Sequence, residues 1–162
     1  MQDPGEKKLF KTVLLIFIVI FLFTPPYLYG ADGDAVVGVW TTQEREARIE
    51  IFTCGAWYCG SISWMKEPDY PTGDEGGMAG KAKVDRNNPN PSLRARPLLG
   101  LKILEGFSFV GRNRWEGGRI YNPENGKVYR AKMKLASNNR LKLRGYVGIS
   151  LFGQTETWTR QP

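Results

Sequence analysis

The stretch Leu141-Lys-Leu-Arg-Gly-Tyr-Val-Gly-Ile-Ser-Leu-Phe-Gly-Gln-Thr-Glu-Thr-Trp-Thr-Arg160 decides the fold. Leu141 and Leu143 alternate with Arg140, Lys142 and Arg144, the period of a strand with one buried face. A glycine-punctuated corner follows. Residues 154–160 then alternate again, with Thr155, Thr157 and Thr159 on one face and Gln154, Glu156, Trp158 and Arg160 on the other. The chain given ends two residues later, so this last strand needs a partner from elsewhere. The first strand, around Val36-Val-Gly-Val-Trp40, supplies it. Pairing first with last closes the sheet and removes both edges.

Working outward, the strand pattern recurs over 36–42, 48–54, 59–66, 101–110, 114–121, 127–136, 140–147 and 154–160. Residues 31–35 are a short polar lead-in. In the second strand Ile49, Ile51 and Thr53 point inward. In the third, Ile62 and Trp64 do so. In the sixth, Tyr129, Ala131, Met133 and Leu135 point inward, and Arg130, Lys132 and Lys134 outward. Gly106 marks a bulge, and Gly117-Gly118 a barrel corner or a close backbone approach. Asn125-Gly126 marks a tight turn. Eight strands predict a small all-β closed antiparallel barrel, just wide enough to fill with side chains or hold one small ligand.

Residues 67–99 interrupt this regularity with a long loop rich in Pro, Gly, Asp and Asn. A loop of that length in a small domain is often functional. Asn90 before Pro91 predicts a capped single helical turn. Asp85, Asn87 and Asn88 suggest a calcium loop only superficially, because Pro89 takes a ligand position and no bidentate acid closes the loop. No metal site is expected, and the acidic and amide side chains are read as turn caps.

The N-terminus has a different composition. Lys7, Lys8 and Lys11 precede the unbroken apolar run Thr12-Val-Leu-Leu-Ile-Phe-Ile-Val-Ile-Phe-Leu-Phe23, which Pro25-Pro26 terminates. Residues 1–31 read as a secretory signal helix, cleaved after Gly30 or Ala31; the alternative is an uncleaved anchor. The expected location is periplasmic or secreted, or else inner-membrane anchored and facing the periplasm. With no Cys directly after the run, a lipid anchor on a new N-terminal Cys is not expected. Residues 32–162 form one barrel domain.

Cys54 and Cys59 are expected to lie opposite each other on the outer face of a hairpin, about 5 Å apart. An oxidising compartment predicts a disulfide. A redox pair is disfavoured, because the spacing is not Cys-x-x-Cys and no base is nearby.

The sequence contains no histidine, which excludes Ser-His-Asp and Cys-His catalysis and His-based zinc sites. No cofactor is expected and the chain is read as non-enzymatic. The net charge of +7 falls to +6 without residues 1–31. That favours anionic envelope partners over nucleic acid in an exported protein. Lysozyme inhibition is disfavoured, since an inhibitor of basic lysozymes should be acidic.

Several segments together resemble a bacterial domain-of-unknown-function family, number 2147, of secreted proteins. They are Gly38-Val-Trp40, Ile49-Glu-Ile51, Asp85 with Asn88-Pro-Asn-Pro-Ser-Leu-Arg94, Arg96-Pro-Leu-Leu-Gly-Leu101, Trp115-Glu-Gly-Gly-Arg-Ile-Tyr121, Pro123, Gly126-Lys-Val-Tyr129, Leu141-Lys-Leu-Arg-Gly-Tyr146 and Trp158-Thr-Arg160. The resemblance implies an extracytoplasmic domain, with Asp85, Asn88 and Arg96 as its loop motif, and no assigned activity. Separately, Gly38-x-Trp40 with Arg160 is similar to the calycin (lipocalin and fatty-acid-binding) barrel signature. That resemblance implies that Trp40 packs inside the closed end with Arg160 across it. The chain departs from lipocalins in its long loop and in lacking a helix after the last strand.

The favoured function is a binding module for a small apolar or amphiphilic ligand, with residues 67–99 as a lid. If Arg160 points inward, so do Trp158, Glu156 and Gln154. Glu156 then either pairs with an interior polar group or joins Gln154 in orienting a ligand among Tyr129, Met133 and Trp158. The alternative function is an envelope interaction protein that meets an anionic surface through the basic hairpin 127–144.

Overall fold

A computed structural model describes residues 32–162. The expected signal helix, its cleavage and the anchor alternative lie outside the described residues. Among the described residues no helix is long and apolar enough to cross a membrane.

Eight antiparallel strands close into a barrel in simple chain order. They are β1 Gly38–Thr41, β2 Ala47–Cys54, β3 Trp57–Met65, β4 Lys102–Phe109, β5 Arg114–Asn122, β6 Lys127–Ser137, β7 Arg140–Tyr146 and β8 Gly153–Arg160. Closure is made by Trp40 opposite Arg160 and Thr41 opposite Thr159. The inner face carries the apolar set that the alternation marks, including Ile49, Ile51, Leu104, Phe107, Met133, Leu141 and Leu143, all buried. Trp40, Trp115 and Trp158 are the largest side chains in this core.

The first strand starts later than the sequence suggests. Asp32 caps a 3-10 turn over Gly33–Val36 by accepting from the Asp34 amide, so Val36 belongs to the turn and is fully buried beneath the barrel. Gly118 and Phe107 explain the glycine pair. A Cβ at Gly118 would collide with the Phe107 ring, and Gly117 takes φ +78° as the β5 register shifts. The anticipated bulge at Gly106 is present as a register shift of β4 against β3, with φ +74° at the glycine.

Two expectations about β2 and β3 are corrected. Trp64 faces outward, opposite Arg48, and is 38% exposed. Ile49 pairs with Ile62 and Arg48 with Trp64, so Ser63 is an extra residue that reverses the alternation beyond it. Arg48 stacks on the exposed indole at 4.7 Å. The Cys54–Cys59 disulfide is formed, with Cα atoms 5.9 Å apart, but between offset positions. Cys59 lies opposite Phe52, and Cys54 opposite Trp57.

Candidate functional site

The end of the barrel where β1 begins and β8 finishes is sealed. Arg160 leaves β8 and lays its guanidinium 4.2 Å above the Trp40 ring. Its Nη1 donates to the Val37 carbonyl at 2.8 Å, its Nη2 to that of Ala35 and its Nε to that of Asn138 at 2.8 Å. One side chain thus ties the plug turn, β1 and the β6–β7 turn together. Burial pulls its pKa below the usual arginine value. Gly38 is required beside it, since a Cβ there would lie 2.8 Å from Nη1 on a backbone with φ +129°. The Trp40 indole N–H donates to the Val36 carbonyl at 2.8 Å. Trp115 donates to the Gly33 carbonyl at 3.0 Å and packs against Phe109 and Tyr58. The Tyr58 hydroxyl donates to Asp34 at 2.8 Å. Burial, then the bond to Asp34, pushes the Tyr58 pKa up to about 12. Gly38, Trp40 and Arg160 thus stand together at this end of the barrel. The Tyr58–Asp34 tether has no signature in the sequence, since its partners are 24 positions apart.

The sequence-predicted ligand residues are spread along the inner face, from Trp158 near the closed end to Tyr129 and Gln154 toward the other. On β8, Trp158, Glu156 and Gln154 lie opposite Leu141, Leu143 and Gly145 of β7, so all three belong to the inner face. Their burial differs sharply. Trp158 is 2% exposed, whereas Glu156 and Gln154 are exposed. Glu156 thus shares the inner face with Trp158 but meets solvent. The cause is the length of β1: four residues cover only the last part of β8, and beyond Thr159 no backbone partner flanks its free side. The Gln43 side chain caps that edge by accepting from the Thr157 amide at 3.0 Å. Glu156 is still engaged, accepting from the Trp158 indole at 2.8 Å. On β6, Ala131 and Met133 are buried and Tyr129 is half-buried, its hydroxyl accepting from the Asn125 amide group at 3.0 Å. Gly145 lies between these walls, opposite Ala131 and Gln154. A Cβ there would make only ordinary contact with Ile120 at 3.6 Å and Tyr129 at 4.0 Å. Along this inner face the apolar side chains are buried and the last polar positions of β8 are exposed.

Residues 67–99 connect β3 to β4 at the end of the barrel away from the seal. Their loop is fastened beside β5. Asp85 is fully buried and accepts from the Tyr121 hydroxyl, from Asn88 Nδ2 at 2.7 Å and from Arg96 through Nε and Nη2, both at 2.8 Å. Burial, then the bond to Asp85, raises the Tyr121 pKa. Tyr121 pairs with the exposed Val128, so this knot sits on the outer face of the sheet. Asn87 donates to the carbonyls of Pro123 and Glu124, and its own carbonyl comes so close to Gly126 that a Cβ there would collide. Among the described residues no hydrogen bond links this loop to β7 or β8. The predicted single turn is present over Pro91–Leu93, capped by Asn90, which accepts from the Ser92 amide at 3.1 Å. Asp85, Asn88 and Arg96 thus come together, as a fastener rather than as turn caps alone. A groove of about 340 Å³ lies beside them, bordered by Arg96, Lys102, Glu105, Arg119 and Val128. Glu105 lies 3.7 Å from Lys102 and 3.6 Å from Arg119, so its cations are already partnered.

A closed eight-strand barrel with a 3-10 plug, a Gly-x-Trp first strand and an arginine laid over the indole defines a lipocalin-like protein. The sequence matches, over residues 38–160, the family described as "Uncharacterized protein conserved in bacteria (DUF2147)", and the chain belongs to that family. Among solved structures it is similar to protein HP1028 from the human pathogen Helicobacter pylori, described as belonging to the lipocalin family. Identity is 28%, over 78% of this chain and 83% of that one, with a TM-score of 0.66. No curated protein matches the chain.

Proposed function

We propose that this chain is a non-enzymatic binding module that holds a small apolar or amphiphilic molecule in the half of its barrel away from the seal, in an extracytoplasmic compartment. One observation carries the reading. Along a single inner face, burial stops between Trp158 and Glu156, so side chains that alternation aims inward meet solvent instead of a core. An apolar tail would pack against Ile120 and Tyr129, above the buried Met133, Leu143 and Trp158. A polar head would meet Tyr129, Gln154 and Glu156 at the rim. This is the layout of small-molecule sites: an apolar surface with a few placed polar groups. The disulfide and the apolar N-terminal run support an extracytoplasmic location. The histidine-free sequence supports a binding rather than a catalytic role.

The test is native mass spectrometry of the chain recovered from its producing cells, with Gly145→Leu and Glu156→Gln beside the wild type. Gly145→Leu projects a side chain toward Ile120 and Tyr129 and should abolish retention of a co-purifying molecule while leaving the melting temperature within a few degrees. Glu156→Gln should weaken retention and cost little stability. Equal occupancy in Gly145→Leu and wild type overturns the reading.

A further inference from the structure

The connection between β7 and β8 is the most exposed apolar stretch of the described chain. Val147, Ile149, Leu151 and Phe152 are 69%, 60%, 75% and 72% exposed. Contiguous exposed apolar groups on a soluble domain mark an interaction surface. These side chains are presented by a braced backbone. Arg144 donates to the carbonyls of Ser150 at 2.7 Å and Leu151 at 3.0 Å, and to Thr155 Oγ1 at 2.8 Å. Lys132 donates to Ser150 Oγ at 3.2 Å, and the Phe152 amide to the Ile149 carbonyl at 3.2 Å.

The sheet next to this loop places like charges face to face. Lys132 lies opposite Arg144, and Lys134 opposite Lys142. Directly opposed like charges destabilise a sheet. Among the described residues none of the four forms a salt bridge. The fold therefore carries a basic strip without salt-bridge partners, which begins at the apolar loop with Lys132 and Arg144 and continues toward the closed end with Lys134 and Lys142.

We propose that this surface docks on an anionic phospholipid bilayer. Leu151, Phe152 and their neighbours enter the boundary between headgroups and acyl chains, and the lysines meet the phosphates. A bilayer is the partner that offers an apolar layer directly beneath a continuous anionic one, matching an apolar tip set against cations. The loop leaves the end of the barrel away from the seal, so docking brings that end to the lipid surface. The proposal stands whether or not the barrel holds a ligand.

The test is hydrogen exchange of the full chain with vesicles of phosphatidylglycerol or of phosphatidylcholine. The apolar run at residues 12–23 is common to every variant, so the comparison isolates the loop. With phosphatidylglycerol, exchange at residues 147–152 should slow by about tenfold or more; with phosphatidylcholine it should not. Leu151→Asp with Phe152→Asp should remove the protection. So should Lys134→Glu with Lys142→Glu, a pair that leaves the bracing side chains in place. All four positions are solvent-facing, and an unchanged near-UV spectrum confirms that the variants fold. Unprotected loop amides with phosphatidylglycerol, equal protection by both lipids, or protection that survives both double variants overturns the proposal. So does protection conferred by lipid-free envelope protein and not by vesicles.

Discussion

Arg160 lies directly opposite Trp40 across the closing seam, with its guanidinium 4.2 Å from the indole centroid. The stacking and the three carbonyl bonds act on one partly buried cation. Arg160→Ala removes all of them and leaves those carbonyls unsatisfied. It should destabilise the barrel by about 2–4 kcal/mol. Arg160→Lys keeps the charge but not the planar fork, and should recover less than half of the loss. Urea unfolding of both variants measures it, and a loss below about 1 kcal/mol for Arg160→Ala would remove the closing role.

Asp85 is the hub on which the long loop is fastened. Asp85→Ala takes the acceptor from the Tyr121 hydroxyl, Asn88 and the Arg96 guanidinium together. The Arg96 side chain is 38% exposed and can turn to solvent, so the expected cost is about 1–3 kcal/mol, that of leaving the Tyr121 and Asn88 donors without an acceptor. Limited proteolysis should then cut first within residues 67–99. Unchanged resistance of that segment would show that the loop is held by other contacts.

Alkaline pH should loosen the plug. The Tyr58 pKa is raised from 10.0 to about 12 in the folded protein, so the folded state holds this proton more tightly than the unfolded state. Its contribution is whole below pH 10 and is lost as pH rises through 12. Tyr58→Phe should flatten that part of the stability profile, read as the thermal midpoint between pH 9 and 12. A profile as steep as the wild type's would assign the effect elsewhere, Tyr121 being the other tyrosine whose pKa is raised.

Reduction of the Cys54–Cys59 bond should shift the intact mass by two hydrogens and cost about 2 kcal/mol, the chain-entropy value for so short a loop. A loss of folding on reduction would mean that the bond does more than tighten one hairpin.

The barrel was legible because its evidence is local and repeated: strand alternation, turn residues, and an aromatic and a basic residue near opposite ends of the chain. The direction of Glu156 was legible for the same reason. Its exposure was not, because exposure depends on how far the neighbouring β1 extends. Trp64 was misplaced because a single extra residue, Ser63, inverts everything beyond it, and a bulge in β3 has no glycine to announce it. Asp85 was read as a turn residue because its neighbours in sequence invite that reading. Its deciding partner Tyr121 lies 36 positions away. The apolar loop at 147–152 was visible as composition but read as a corner, since alternation cannot distinguish a hidden side chain from one left in solvent.

The seam between β1 and β8 also sets the order of folding. Seven residue pairs join β7 to β8, and β7 follows β6 through a tight turn, so these strands assemble from near neighbours. The seam has two pairs, and its Arg160–Val37 bond spans 123 positions. Contacts so distant carry the largest loop-closure cost and so form late. By its sequence separation the Arg160 seam closes after the neighbouring hairpins, and until it does the core tryptophan Trp40 stands beside an unfastened edge.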